Sequence, residues 1–182
     1  MKGKSSIVWL KAQAVTLLQP DIKPTLLIAV GNLSRGDDAL APLLQELIEP
    51  VIDESTTELI TDFQLQLEHV LDITGRDRVL FIDAAVECTT PFSFSEQQAS
   101  TEYTHTSHIM SPAAIMQVYR TITKRLPPPC FLLSIKGESF ELGESISSTA
   151  EQHLQAAKVF TLAALKLSSV EDWRKLCWKP IL

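Results

Sequence analysis

Acidic side chains and histidines fall at three separated points of the sequence where they could bind a divalent metal. Asp37 and Asp38 follow the apolar run TLLIAV, in the stretch GNLSRGDDALAPLL. Asp83 interrupts the apolar run LFIDAAV, and His105 and His108 lie in THTSHIMSP. Carboxylates and imidazoles are ligands for divalent metals that accept oxygen and nitrogen donors. If the fold brings these three points together, the sequence predicts a metal-binding site.

Each of these residues also has a purely structural interpretation. An aspartate at a helix start accepts backbone N–H groups and suits the helix dipole, so Asp37 or Asp38 could cap the helix that follows. A buried carboxylate such as Asp83 needs a partner, and Arg35 could provide one instead of a metal. A histidine in a loop is often only solvated. The metal interpretation depends on all three points meeting at one edge of a sheet.

The sequence carries no standard nucleophile motif. It has neither a GxSxG nor an HExxH pattern, and GNLSRG lacks both the GxGxxG spacing and a P-loop lysine–serine pair. Cys88, Cys130 and Cys177 are odd in number, widely spaced and without a CxxC pair, which favours reduced thiols in a cytoplasmic protein. If the protein is a hydrolase, we therefore expect it to use a metal-polarised bond or a metal-activated water.

Apolar runs that alternate with segments of helical periodicity predict the elements that position these residues. Strands are predicted at 25–30, 57–62, 77–86, 92–95 and 130–137, the fourth of them at a sheet edge. Helices are predicted at 38–49, 64–73, 112–124 with Ser111 as its N-cap, and 147–167. This alternation is typical of an α/β protein with a mostly parallel sheet and helices on both faces. Such sheets bind ligands at the carboxyl ends of their strands.

Composition limits the possible partners. The chain has 182 residues, 45% of them hydrophobic and 21% charged, which predicts a single globular domain spanning 1–182. Its net charge of -6 argues against a nucleic-acid partner, because no basic excess neutralises phosphates. An apolar run near the start is short and broken by polar residues, so we expect neither a signal peptide nor a membrane span. We divide the chain into an N-terminal extension (1–24), a core (25–167) and a tail (168–182) that folds back.

The same motifs resemble those of the endopeptidases that mature nickel-iron hydrogenases. That family has a strand followed by a G-N-x-x-x-x-D-[DE] turn, which matches the stretch containing Asp37 and Asp38. A strand ending in D-A matches Asp83, and a histidine shortly before a helix matches His108. The segment IKGESFELGESIS matches the loop before the last helix, and DFQLQLEHVLDI, with Glu68, matches the second helix region. The motifs keep their order over roughly 25–165.

The resemblance implies a fold, an activity and a site. The fold is a three-layer α/β/α sandwich with a sheet of about five strands. The activity is metal-dependent removal of a short C-terminal extension from the hydrogenase large-subunit precursor after nickel insertion. Asp38, Asp83 and His108 would bind the nickel, which belongs to the substrate, so no permanent cofactor is expected. Asp37 would cap or shape the helix start, and His105 is the alternative to His108.

Two other functions fit the same residues. A non-catalytic, metal-sensing hydrogenase assembly factor would carry the same ligands and bind the precursor without cutting it. A small-molecule or nucleotide hydrolase on a similar fold would need a deep, closed pocket and a phosphate clamp, for which Arg35 is the candidate. The chain departs from the family pattern at Ala39, where glycine is frequent; alanine is the better residue there if the position is helical.

Overall fold

The core of the molecule is a five-stranded mixed sheet in the order β2-β1-β3-β5-β4. The computed structural model describes residues 22–100 and 110–177. Its strands are β1 (Thr25–Val30), β2 (Thr57–Asp62), β3 (Arg78–Ala85), β4 (Phe92–Glu96) and β5 (Cys130–Lys136). The first three strands and β5 are parallel, and β4 is an antiparallel edge strand. The predicted, mostly parallel sheet and its edge strand are confirmed, with strand ends within about one residue of those predicted.

Helices cover both faces of this sheet, so the three-layer α/β/α architecture is confirmed. They are α1 (Leu40–Ile48), α2 (His69–Asp72), α3 (Pro112–Thr123), α4 (Ser148–Leu165) and α5 (Val170–Leu176). Helices α1, α4 and α5 bury Leu44, Leu154 and Trp173 against one face. Helices α2 and α3 bury Val70 and Ile115 against the other. Short 3-10 segments, Gly36–Ala39 and Glu49–Val51, flank α1.

The alternation of β3 determines which face carries Asp83. Successive side chains of a strand point to opposite faces. Leu80 and Ile82 belong to the core on the α1 side, whereas Phe81 belongs to the core on the α3 side. Asp83 follows Phe81 by two residues, so its side chain lies on the α3 side at the carboxyl end of the strand.

The prediction of a helix at 64–73 is wrong, because only α2, which is four residues long, forms there. Asp62 accepts the backbone N–H of Phe63 at 2.6 Å and the side-chain amide of Gln66 at 2.9 Å. The backbone N–H of Gln66 in turn donates to Nδ1 of His69 at 2.9 Å. Such bonds between side chains and nearby backbone groups compete with the helical ladder. Leu65, Val70 and Ile73 are nevertheless buried, so the apolar spacing reflects packing rather than a continuous helix.

The C-terminal tail folds back onto the sheet, as predicted, through residue 177. Trp173 on α5 is fully buried, and its indole N–H donates to the carbonyl of Ala164 at 2.9 Å. The guanidinium of Arg78, at the start of β3, lies 4.6 Å from the centre of the Trp173 ring. Residues 1–21 of the predicted N-terminal extension lie outside the described part of the chain. None of the helices described is both long and apolar enough to span a lipid bilayer.

Candidate active-site cleft

A cleft of about 650 Å³ lies at the carboxyl ends of β1 and β3. Asp38 and Asp83 both line it, together with Phe63 and Gln64 from the chain after β2. Three consecutive residues at the start of α3, Met110, Ser111 and Pro112, complete the lining on one side. The two carboxylates predicted to share a site are therefore brought together by the fold.

Asp38 is held at the end of β1 by a tight turn. The backbone N–H of Asn32 donates to its Oδ2 at 3.1 Å, and the N–H of Asp38 donates to the carbonyl of Arg35 at 3.1 Å. Gly31 has φ +152°, and a Cβ there would overlap the carbonyl oxygen of Asp38. Only glycine lets the two backbone segments approach so closely. The turn thus places Asp38, on the 3-10 segment before α1, at the cleft wall.

Asp83 is a partly buried carboxylate whose pKa is raised to about 6. Burial is the main cause, and the negative charge of Asp38 adds to it, whereas a hydrogen bond from the Ala84 N–H at 2.8 Å lowers the pKa. The alternative pairing with Arg35 is wrong. Nε of Arg35 donates to the carbonyl of Phe140 at 2.8 Å, and Asp83 forms no ion pair with any described residue. Two carboxylates that meet in one cleft each disfavour the ionised form of the other, which is how Asp38 contributes to the raised pKa of Asp83.

Asp37 points away from the cleft and is fully buried. Its carboxylate accepts the backbone N–H groups of Glu138, Ser139 and Ser147 at 2.6–3.0 Å, and the Ser147 hydroxyl at 3.0 Å. Burial favours the protonated acid, but these hydrogen bonds outweigh it and hold the pKa of Asp37 below its ordinary value. The 3-10 segment it belongs to has no side-chain cap, so the interpretation as a helix cap is wrong. Asp37 instead fastens the turn to the segment 137–147.

That segment, GESFELGESIS in the sequence, also contacts the turn through Gly36. The N–H of Gly36 donates to the carbonyl of Glu144 at 3.1 Å. Gly36 has φ +51°, and a Cβ there would lie 2.6 Å from the carbonyl oxygen of Ser139, so glycine is required. The segment ends at Ser147, whose hydroxyl accepts the N–H of Ala150 at 3.1 Å and caps α4. The loop that follows β5 is therefore part of the frame that holds Asp38.

The third predicted metal ligand, His108, lies outside the described residues, as does its alternative His105. Within 22–100 and 110–177, no three histidine, cysteine, aspartate or glutamate side chains are grouped so that they could hold a metal ion. The described part of the site therefore provides two carboxylates. Ser111 caps α3 as predicted, its hydroxyl accepting the N–H of Ala114 at 3.2 Å.

The remaining candidate residues lie apart from this cleft. Glu68 is exposed and does not line it. Cys88, like Cys130 and Cys177, is a free thiol, and burial raises its pKa, which disfavours the nucleophilic thiolate. Ala39 is helical, with φ -72° and ψ -11°, so alanine in place of the family's glycine suits its conformation.

The architecture of this chain is similar to that of several solved structures. No protein-family model and no curated protein matches the sequence. Among solved structures, the hydrogenase maturating endopeptidase HybD from E. coli is 22% identical, with a TM-score of 0.63 over 78% of this chain and 91% of that one. The [NiFe] hydrogenase maturation protease HycI from Thermococcus kodakarensis is 20% identical, with a TM-score of 0.62 over 80% and 94%. An endopeptidase from Escherichia coli, solved in solution, is 24% identical, with a TM-score of 0.61 over 78% and 91%.

This chain has the fold of the hydrogenase maturation proteases. The alignment covers more than nine tenths of each of those three structures, so their architecture is present here almost in full. The chain is longer than the shared fold, since about a fifth of it is not covered. In this fold the carboxyl ends of β1 and β3 meet at one edge of the sheet, where Asp38 and Asp83 lie.

Proposed function

We propose that this protein is a cytoplasmic endopeptidase that removes the C-terminal extension of a nickel-iron hydrogenase large-subunit precursor after nickel insertion. The observation that carries the proposal is the meeting of Asp38 and Asp83 in one cleft, at the ends of neighbouring strands. The fold supports it, because solved structures that share this architecture are hydrogenase maturation proteases. Fold alone does not determine function, so the two carboxylates are the decisive part of the proposal.

In this proposal Asp38, Asp83 and His108 bind the nickel of the immature large subunit. The two carboxylates supply oxygen ligands, and a bound cation would relieve the repulsion that contributes to the raised pKa of Asp83. Met110 lines the cleft, and His108 precedes it by only two residues, a span of at most about 7 Å of chain. His105 is five residues from Met110 and is less tightly constrained by the same argument. We therefore assign the imidazole ligand to His108.

Nickel bound in this way is part of the substrate and acts as its recognition signal. Binding of the nickel would hold the scissile peptide bond against the cleft. The bond and the groups that attack it would then react as an oriented pair rather than after a chance collision. A divalent metal polarises a carbonyl or lowers the pKa of a bound water. In this proposal the metal, or a water ordered by Asp38 or Asp83, would promote hydrolysis of the amide bond.

The cleft suits a cationic feature of a substrate better than a phosphate. Asp38 and Asp83 both line it, and carboxylates repel phosphate oxygens. Arg35, the candidate phosphate clamp, uses its Nε–H to bind the carbonyl of Phe140. A nucleotide hydrolase is therefore disfavoured by the charges of the site.

The test is incubation of the protein with nickel-loaded and nickel-free precursor, followed by mass spectrometry of the precursor's C-terminus. We expect trimming only of the nickel-loaded form, and its loss in Asp38→Ala, Asp83→Ala and His108→Ala. Glu68→Ala is the matched control, since Glu68 is an exposed carboxylate away from the cleft. Unchanged trimming by all three variants would refute the assignment of the site. A stable complex that forms without any cut would instead indicate an assembly factor.

A further inference from the structure

A second concavity, of about 410 Å³, adjoins the active-site cleft. It shares Gly31, Asn32 and Phe63 with the cleft and extends past them to Leu33 and Pro42. Leu33 is 55% exposed and Phe63 is 73% exposed. Large apolar side chains that remain exposed around a concave surface are a common mark of a binding site. We refer to this surface as the apolar groove.

The apolar groove ends against the outer side of β2. Asp62 is paired with Val30, and its carbonyl accepts the N–H of Gly31, so the backbone groups of Asp62 face β1. Backbone groups of successive strand residues point to opposite sides, so the N–H and C=O of Thr61 face the other way. In the described residues β2 is the outermost strand of the sheet on that side. An extended peptide lying along β2 would find a backbone donor and a backbone acceptor at Thr61.

We infer that the precursor's C-terminal extension binds here as an extended segment, pairing with Thr61 and placing an apolar side chain in the groove. This inference rests on the proposed function. The scissile bond must lie at the carboxylates, and the chain that leaves it must follow a surface continuous with the cleft. The apolar groove is such a surface, because three residues line both concavities. A sheet edge beside a pocket is one arrangement by which proteins bind extended peptides.

The extension, rather than the body of the large subunit, is the occupant. Backbone pairing with a sheet edge requires a chain whose own N–H and C=O groups are unpaired, and a short extended terminal segment offers such groups along its whole length. A groove of about 410 Å³ has room for one or two large side chains and not for a folded element.

The experiment measures KM and kcat for trimming of the nickel-loaded precursor by Leu33→Ser and by the wild-type protein. Leu33 lines the groove and not the cleft, so the substitution leaves the carboxylates in place. We expect KM to rise about tenfold with kcat within about twofold, as for loss of one apolar contact that is not specific to the transition state. Leu126→Ser is the control, because Leu126 is 77% exposed but precedes β5, at the opposite end of the parallel strands.

A second measurement follows the Thr61 amide directly. Adding a synthetic peptide of the extension to ¹⁵N-labelled protein should shift the Thr61 amide signal in the wild type and shift it less in Leu33→Ser. Wild-type KM in Leu33→Ser together with an unmoved Thr61 signal would overturn the inference and leave the proposed function standing. Absence of trimming by the wild-type protein would instead refute the proposed function itself.

Discussion

Replacing Asp83 by asparagine should make the protein more stable at neutral pH while abolishing precursor trimming. Asp83 is a carboxylate of the cleft whose pKa is raised, and burial is the main cause. Asparagine has nearly the same shape and keeps an oxygen that can accept the Ala84 N–H, which now bonds Asp83 at 2.8 Å. The substitution therefore removes the charge and leaves the packing unchanged.

The size of the effect follows from the two pKa values. The folded protein holds the Asp83 proton with a pKa of about 6, compared with 3.8 for an unperturbed aspartate. The folded state therefore binds this proton more tightly than the unfolded state, so the free energy of unfolding falls as pH rises from about 4 to 6. One pKa unit corresponds to about 1.4 kcal/mol, which gives a loss of at most about 3 kcal/mol at pH 7. The amide side chain of the D83N variant cannot ionise, so its free energy of unfolding does not fall in this way as pH rises.

Urea unfolding of D83N and the wild type at pH 7.5 and at pH 4 measures the effect. We expect D83N to be more stable by up to about 3 kcal/mol at pH 7.5, and the difference to shrink towards zero at pH 4, where wild-type Asp83 is largely protonated in the folded state and about half protonated in the unfolded state. Precursor trimming by D83N should be lost under the same conditions. Equal stabilities at pH 7.5, or a D83N protein less stable than the wild type there, would refute the burial argument. Normal trimming would refute the role of Asp83 in the site.

Three further predictions concern the frame of the site, its third ligand and the tail. Asp37→Asn should lower the free energy of unfolding by about 3 kcal/mol at pH 7, because an amide cannot accept all four hydrogen bonds. In urea unfolding at a series of pH values, this difference in free energy should vanish at acidic pH, where Asp37 itself becomes protonated. His108→Ala should abolish nickel-dependent trimming and His105→Ala should not, by mass spectrometry of the precursor; the reverse result would exchange the two assignments. Arg78→Lys should destabilise the fold by about 2 kcal/mol in thermal unfolding, because lysine cannot both stack on Trp173 and reproduce the guanidinium hydrogen bonds, and an unchanged melting temperature would contradict this.

The strands could be predicted closely from the sequence because their signal is local. All six residues of β1 are buried, and β3 is nearly continuous in its apolar character, as expected for strands covered on both faces. Each run is bounded by polar or turn-forming residues, which fixes its ends. The placement of Asp38 and Asp83 at one edge then follows from parallel pairing alone, without any knowledge of their contacts.

The sequence-based predictions fail where contacts with distant residues, or local hydrogen bonds that compete with a helix, determine the structure. Residues 64–73 have helical apolar spacing, but the bonds of Asp62 and His69 to neighbouring backbone groups leave only α2. The role of Asp37 could not be read from its neighbours, because its partners lie 101–110 residues further along the chain. The sequence signals that role only through the pair of adjacent acids, of which Asp38 alone lines the cleft.

The long reach of Asp37 has a consequence for the order in which the site matures during synthesis. Both cleft carboxylates are encoded in the first half of the chain, yet the turn bearing Asp38 is clamped only when Ser139 and Ser147 arrive. A chain still emerging from the ribosome with β1 and β3 already paired therefore has both cleft carboxylates but not yet the bonds that fix the turn bearing Asp38. If the proposed function holds, activity would require that β5 and the loop that follows it have been translated and have docked. Under the proposed function, an incomplete copy that lacks these bonds would therefore be inactive towards the precursor.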